Sequence, residues 1–114
     1  MAVDSQDVID VAPEFVIPPQ DVTIVKDEPM TQLQCIVNAR PLHELQLIWL
    51  KDGVPVEQSG VPTFTNDVWN RTLSLITVGF SHAGTYTCHA RMRTGGSQVA
   101  KSAQVTVIGM HMIA

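Results

Sequence analysis

The sequence predicts an all-β fold, a sandwich or barrel of short strands. Three observations carry that prediction. Apolar and polar residues alternate over short runs, the pattern of strands buried on one face. Seven Pro and seven Gly are spread along the chain, enough to separate many short elements by turns. No window of useful length places apolar residues at i, i+3, i+4 and i+7 between helix caps.

The elements follow in order. Pro18-Pro19 splits the first strand into stretches at 14–17 and 22–25, and proline confines such a strand to a sheet edge. Asp27-Glu28-Pro29 turns the chain into a strand in which Leu33, Cys35 and Val37 share one face. Leu45, Leu47 and Trp49 form the next apolar face, and Lys51-Asp52-Gly53 closes it with a tight hairpin that needs φ > 0. Ser59-Gly60 marks another break. Leu73 and Leu75 alternate with Thr72 and Ser74. Ser81 to Gly84 makes a corner before a strand whose inward residues are Tyr86, Cys88 and Ala90. Thr94-Gly95-Gly96 is the last hairpin tip, and Ala103, Val105 and Val107 line the final strand.

Composition excludes several functions. A chain of 114 residues makes one domain with a core of its own. Its net charge of −4, from 7 Lys+Arg against 11 Asp+Glu, argues against nucleic acid as a partner and against a polybasic membrane surface. No run reaches the roughly 20 apolar residues that cross a bilayer, so membrane attachment would come only through a parent chain. Residues 1–10 are acidic and lack the basic and apolar regions of a secretory signal. The expected organisation is a flexible segment or expression remnant at 1–12, a domain at 13–108, and a linker or tag remnant at 109–114.

Four residues then set the family. Cys35 and Cys88 stand 53 positions apart, Trp49 follows the first by 14, and Tyr86 precedes the second by two. The set resembles an immunoglobulin sandwich of the I-set type. The resemblance extends through Phe15-Val16-Ile17-Pro18-Pro19, Asp21-Val22-Thr23-Ile24-Val25, Leu33-Gln34-Cys35, Trp49-Leu50-Lys51-Asp52-Gly53, Arg71-Thr72-Leu73-Ser74-Leu75 and Gly84-Thr85-Tyr86-Thr87-Cys88. Asn38-Ala39-Arg40-Pro41-Leu42 and Ala90-Arg91-Met92-Arg93 are similar to the ectodomains of sidekick-type neuronal adhesion proteins.

The resemblance implies an antiparallel sandwich of seven to nine strands, one inter-sheet Cys35–Cys88 disulfide, and Trp49, Tyr86 and Leu73 packed about it as the core signature. It also implies a tyrosine corner at Tyr86. Such domains usually carry Asp where this chain has His82, so neutral hydrogen bonding is expected to hold the corner in place of an ion pair with Arg71.

The implied function is extracellular adhesion or recognition, with another immunoglobulin domain as partner, homophilic or heterophilic. The alternative is a spacer domain of an intracellular muscle filament protein, with reduced cysteines. A third reading is a free-standing binder. Asn70-Arg71-Thr72 is an N-glycosylation sequon, and Asn70 is expected to face solvent at a strand start. Ile48 and Leu50 alternate with Trp49 and face outward, so with His89, Arg91 and Arg93 they form the candidate protein interface. Trp69 is expected to be partly buried beside the strand edge. The four histidines show no metal-ligand spacing, and no Ser-His-carboxylate set or phosphate loop is present. The expectation is therefore no metal, no cofactor, no small-molecule substrate and no catalysis.

Overall fold

The computed structural model describes residues 10–65 and 67–109. The expectations placed on 1–9 and 110–114 lie outside them. Strand β1 (Val11–Ile17) pairs antiparallel with β4 (Ile36–Arg40). Strands β3 (Met30–Gln34), β8 (Thr72–Ile76) and β7 (Thr63–Thr65) pair in the order β3-β8-β7. Strands β3 and β4 are one run interrupted at Cys35, whose amide donates to the Arg71 carbonyl instead (2.8 Å). Together these strands make one layer. The other is a five-stranded sheet, ordered β2 (Val22–Val25), β10 (Gln98–Ile108), β9 (Gly84–Met92), β5 (Leu45–Lys51) and β6 (Val54–Pro55). Its pairings are antiparallel except for the parallel β2–β10 pair.

The period-2 pattern places the core. Leu33, Leu73 and Leu75 meet Leu47, Trp49, Tyr86, Ala90 and Val105 between the layers, all buried. The Cys35–Cys88 disulfide spans the layers, with its Cα atoms 6.5 Å apart. Closing so long a loop stabilises the fold by about 4 kcal/mol on the chain-entropy account.

Two differences from the sequence reading have local causes. The first strand begins at Val11, three residues before the expected start, and includes buried Pro13. An edge strand does not need that missing N–H. Ser74 faces outward by register yet is fully buried. Gln32 and Phe64 flank it on the neighbouring strands, and the Gln32 side-chain amide donates to its hydroxyl (3.3 Å).

The β5–β6 hairpin places Asp52 and Gly53 at φ of 51° and 85°, the mirror-image turn expected for Asp-Gly. Asp52 reaches across to β9, where its carboxylate accepts the Thr85 amide (2.9 Å). That contact and Lys51 hold its carboxyl below the usual range. Gly84 sits beside it at φ 150°, and a Cβ there would lie 2.7 Å from the carboxylate. Only glycine fits.

Candidate functional site

The corner and the tryptophan fix the frame around the candidate surfaces. The buried Tyr86 hydroxyl donates to the His82 carbonyl (2.7 Å), closing the tyrosine corner. Burial pushes the Tyr86 phenol above its ordinary range, and Asp52 adds to the shift. The buried His82 ring uses both nitrogens: Nδ1 accepts from the Gly79 amide (3.0 Å) and Nε2 faces the Pro62 carbonyl (2.9 Å). A carbonyl only accepts, so these partners select the Nε2–H tautomer. Neutral hydrogen bonds thus occupy the place of the family's ion pair. Arg71 bonds Asp67 instead, through Nε (2.9 Å) and its backbone amide (3.0 Å). Burial raises the Asp67 carboxyl, but the Arg71 bonds outweigh it and hold it below the usual range.

The outward face of the five-stranded sheet brings the expected interface residues into register. Ile48 lies opposite His89, and Leu50 opposite Thr87. Every outward side chain from Thr85 to Arg91 on β9 has a cross-strand partner. Thr85 donates to Gln104 (2.9 Å), Thr87 meets Ser102 (2.8 Å), His89 meets Gln98 (2.7 Å) and Arg91 donates to Gln46 (2.9 Å). These pairs form a ladder of polar rungs beside Ile48 and Leu50, both half-buried. Arg93 does not join the ladder. It lies just past β9, where its backbone amide donates to the Glu44 carbonyl (2.8 Å), and it lines a cleft shared with Trp69, Val68 and His43.

Asn70 departs from expectation. Its side chain does not face solvent but turns back onto the strands, because φ of 58° folds the chain over on itself. Its Nδ2 donates to the Leu47 carbonyl (3.3 Å), and its Oδ1 accepts from Thr65 (3.0 Å). Its own carbonyl accepts the Trp49 indole N–H (2.7 Å). Asn70 therefore brackets β5, β7 and the core tryptophan together. Trp69 is half-buried as expected, with Val68 beside it 88% exposed. Val68, Phe64 and Glu57 are surface residues that sequence reasoning passed over. The signal for Phe64 was the Thr63-Phe64-Thr65 alternation.

Among the described residues, no group of three His, Cys, Asp or Glu side chains is placed to hold a metal ion. No helix among them is long and apolar enough to cross a membrane.

Comparisons with known proteins agree with this geometry. Protein sidekick of Drosophila melanogaster is 50% identical over 101 residues, which cover 88% of this chain and 4% of that protein. The solved immunoglobulin domains 1–5 of Sidekick-1 superpose with a TM-score of 0.76 at 27% identity, covering 89% of this chain and 20% of that one. A chimeric titin Z1Z2 structure, with a TM-score of 0.73 at 23% identity over 90% of this chain and 99% of that one, shares the fold alone. The chain spans about 4% of the length of the sidekick relatives it matches. The immunoglobulin domain family model matches residues 12–91, and the chain belongs to that family.

Proposed function

We propose that this chain is an extracellular recognition module of a sidekick-type cell-adhesion protein, acting through contact with another immunoglobulin domain. The 50% identity to Drosophila melanogaster sidekick is the observation that carries the reading. The Cys35–Cys88 bridge supports it, because such bridges persist in oxidising, extracellular surroundings. The titin likeness, at 23% identity, supports the sandwich and nothing about a muscle role. The module works by presenting surface, with no catalytic step, cofactor, small-molecule substrate or nucleic acid. The five-stranded face offers a heterophilic partner Ile48 and Leu50 beside a ladder whose polar groups are already paired, so little has to be desolvated there.

A domain exchange tests this reading. This domain replaces its counterpart in a sidekick ectodomain displayed on non-adhesive cells, and cell aggregation is measured. Aggregation at the parent level is expected. Aggregation no better than with a titin domain in the same place would overturn the reading.

A further inference from the structure

We infer that Asn70 is a modification site gated by folding: the unfolded chain accepts an N-linked glycan there, and the folded domain excludes one. The inference goes beyond the recognition reading and does not rest on it.

Asn70-Arg71-Thr72 is the one N-x-Ser/Thr triplet in the sequence. Transfer joins Nδ2 to C1 of an oligosaccharide carried on a lipid pyrophosphate. The C1–O bond breaks, the lipid pyrophosphate leaves, and Nδ2 gives up one proton. The side-chain amide must therefore be free to meet the donor. In the fold it is already committed. Nδ2 donates to the Leu47 carbonyl of β5 (3.3 Å), and Oδ1 accepts from Thr65 of β7 (3.0 Å). The Asn70 backbone is tied down as well: its N–H donates to the Asp67 carbonyl (3.1 Å), and its carbonyl accepts the indole N–H of buried Trp49 (2.7 Å). The rest of the triplet is held by strands. The Arg71 carbonyl accepts the Cys35 amide (2.8 Å), and Thr72 pairs into β8 opposite Gln34. Drawing Asn70 out to an enzyme thus leaves the Trp49 N–H without a partner in the core.

Stereochemistry closes the other route, a glycan that persists in the native fold. A glycosylated Nδ2 keeps one N–H, so the Leu47 bond alone does not exclude the sugar. The side facing Thr65 does. A secondary amide holds its substituents trans, which puts the sugar carbon anti to Cβ and on the Oδ1 side of Nδ2. Thr65 stands on that side, and φ of 58° turns the whole side chain onto β5 and β7. A sugar there displaces Thr65 or forces Asn70 out of its bracket. The folded domain therefore keeps the surface around Asn70 bare.

Acceptor assays with a purified oligosaccharyltransferase and its lipid-linked donor, read by intact mass, test the inference. The chain unfolded by reduction and alkylation should gain one glycan, and Asn70→Gln in the same state should gain none. The oxidised chain should react at least about a hundredfold more slowly, because transfer waits for local opening. Thr65→Ala leaves the triplet intact and removes one bond of the bracket, so it should speed transfer to the oxidised chain by about fivefold. Equal transfer to the two forms, as from a sugar that fits the cleft beside Trp69, would overturn the inference. So would an unfolded chain that stays bare, or a Thr65→Ala chain no faster than the wild type.

Discussion

The five-stranded face and the β6–β7 edge carry similar residues to different ends. Both present an arginine, a histidine and large apolar side chains. On the face, Arg91 and His89 are already bonded to Gln46 and Gln98, and Ile48 and Leu50 are half-buried between strands. On the edge, Arg93 forms no ion pair among the described residues, and Val68 stands almost wholly in solvent. The difference teaches that a charged residue's availability depends on its cross-strand neighbour and not on its type. A rung of the ladder lowers the gain a partner could offer, since the partner must replace a bond already made.

The largest effect should come from removing what the two regions share. Cys35→Ala with Cys88→Ala should cost about 4 kcal/mol in denaturant unfolding and loosen face and edge alike. Loss confined to one region would show that the bridge does not hold a common frame. Next comes the bracket under the edge. Asn70→Ala removes two side-chain hydrogen bonds and leaves a residue with a Cβ at φ of 58°, for a cost of about 2 kcal/mol. Asn70→Gly should cost less, because glycine relieves the backbone, and both should loosen the edge while sparing the ladder. Hydrogen exchange on the two variants checks the order. An equal loss at β9 and β10 would mean that the regions are not separate.

Acid should act on the other end of the face. Asp52 has its carboxyl held below the ordinary value of 3.8, first by the Thr85 amide and then by Lys51. A depressed carboxyl adds stability that is complete above its unfolded value and lost as pH falls through its folded one. The melting temperature should therefore drop below about pH 4, and Asp52→Asn should flatten that slope. The same slope in wild type and variant would remove Asp52 from the account. The smallest effect belongs to the face itself. Ile48→Ser with Leu50→Ser should leave the fold intact and lower aggregation in the exchange assay, since the proposed contact uses this face. Aggregation at the parent level would remove the face from the account.

Much of the fold was legible because a strand's faces alternate. Leu33, Cys35, Leu45, Leu47, Trp49, Leu73, Tyr86 and Cys88 all point inward as their spacing requires. The corner was legible through Tyr86 and the missing acid at His82. What stayed hidden depends on which strand lies beside which. Gln46 and Arg91 are 45 positions apart, so no local pattern shows that they bond. Ser74 is buried by neighbours from β3 and β7. Asn70 reads as a solvent-facing sequon until its positive φ turns the amide onto Leu47. The same register brings Arg93 to Trp69, from segments that the sequence keeps apart.

One measurement tests the contrast between face and edge most directly. Backbone and side-chain NMR spectra of the oxidised chain, recorded as a sidekick ectodomain is added, report which residues sense a partner. The account predicts shifts centred on Ile48 and Leu50 and on their neighbours along β9. Shifts confined to Phe64, Val68 and Trp69, with the face silent, would contradict it.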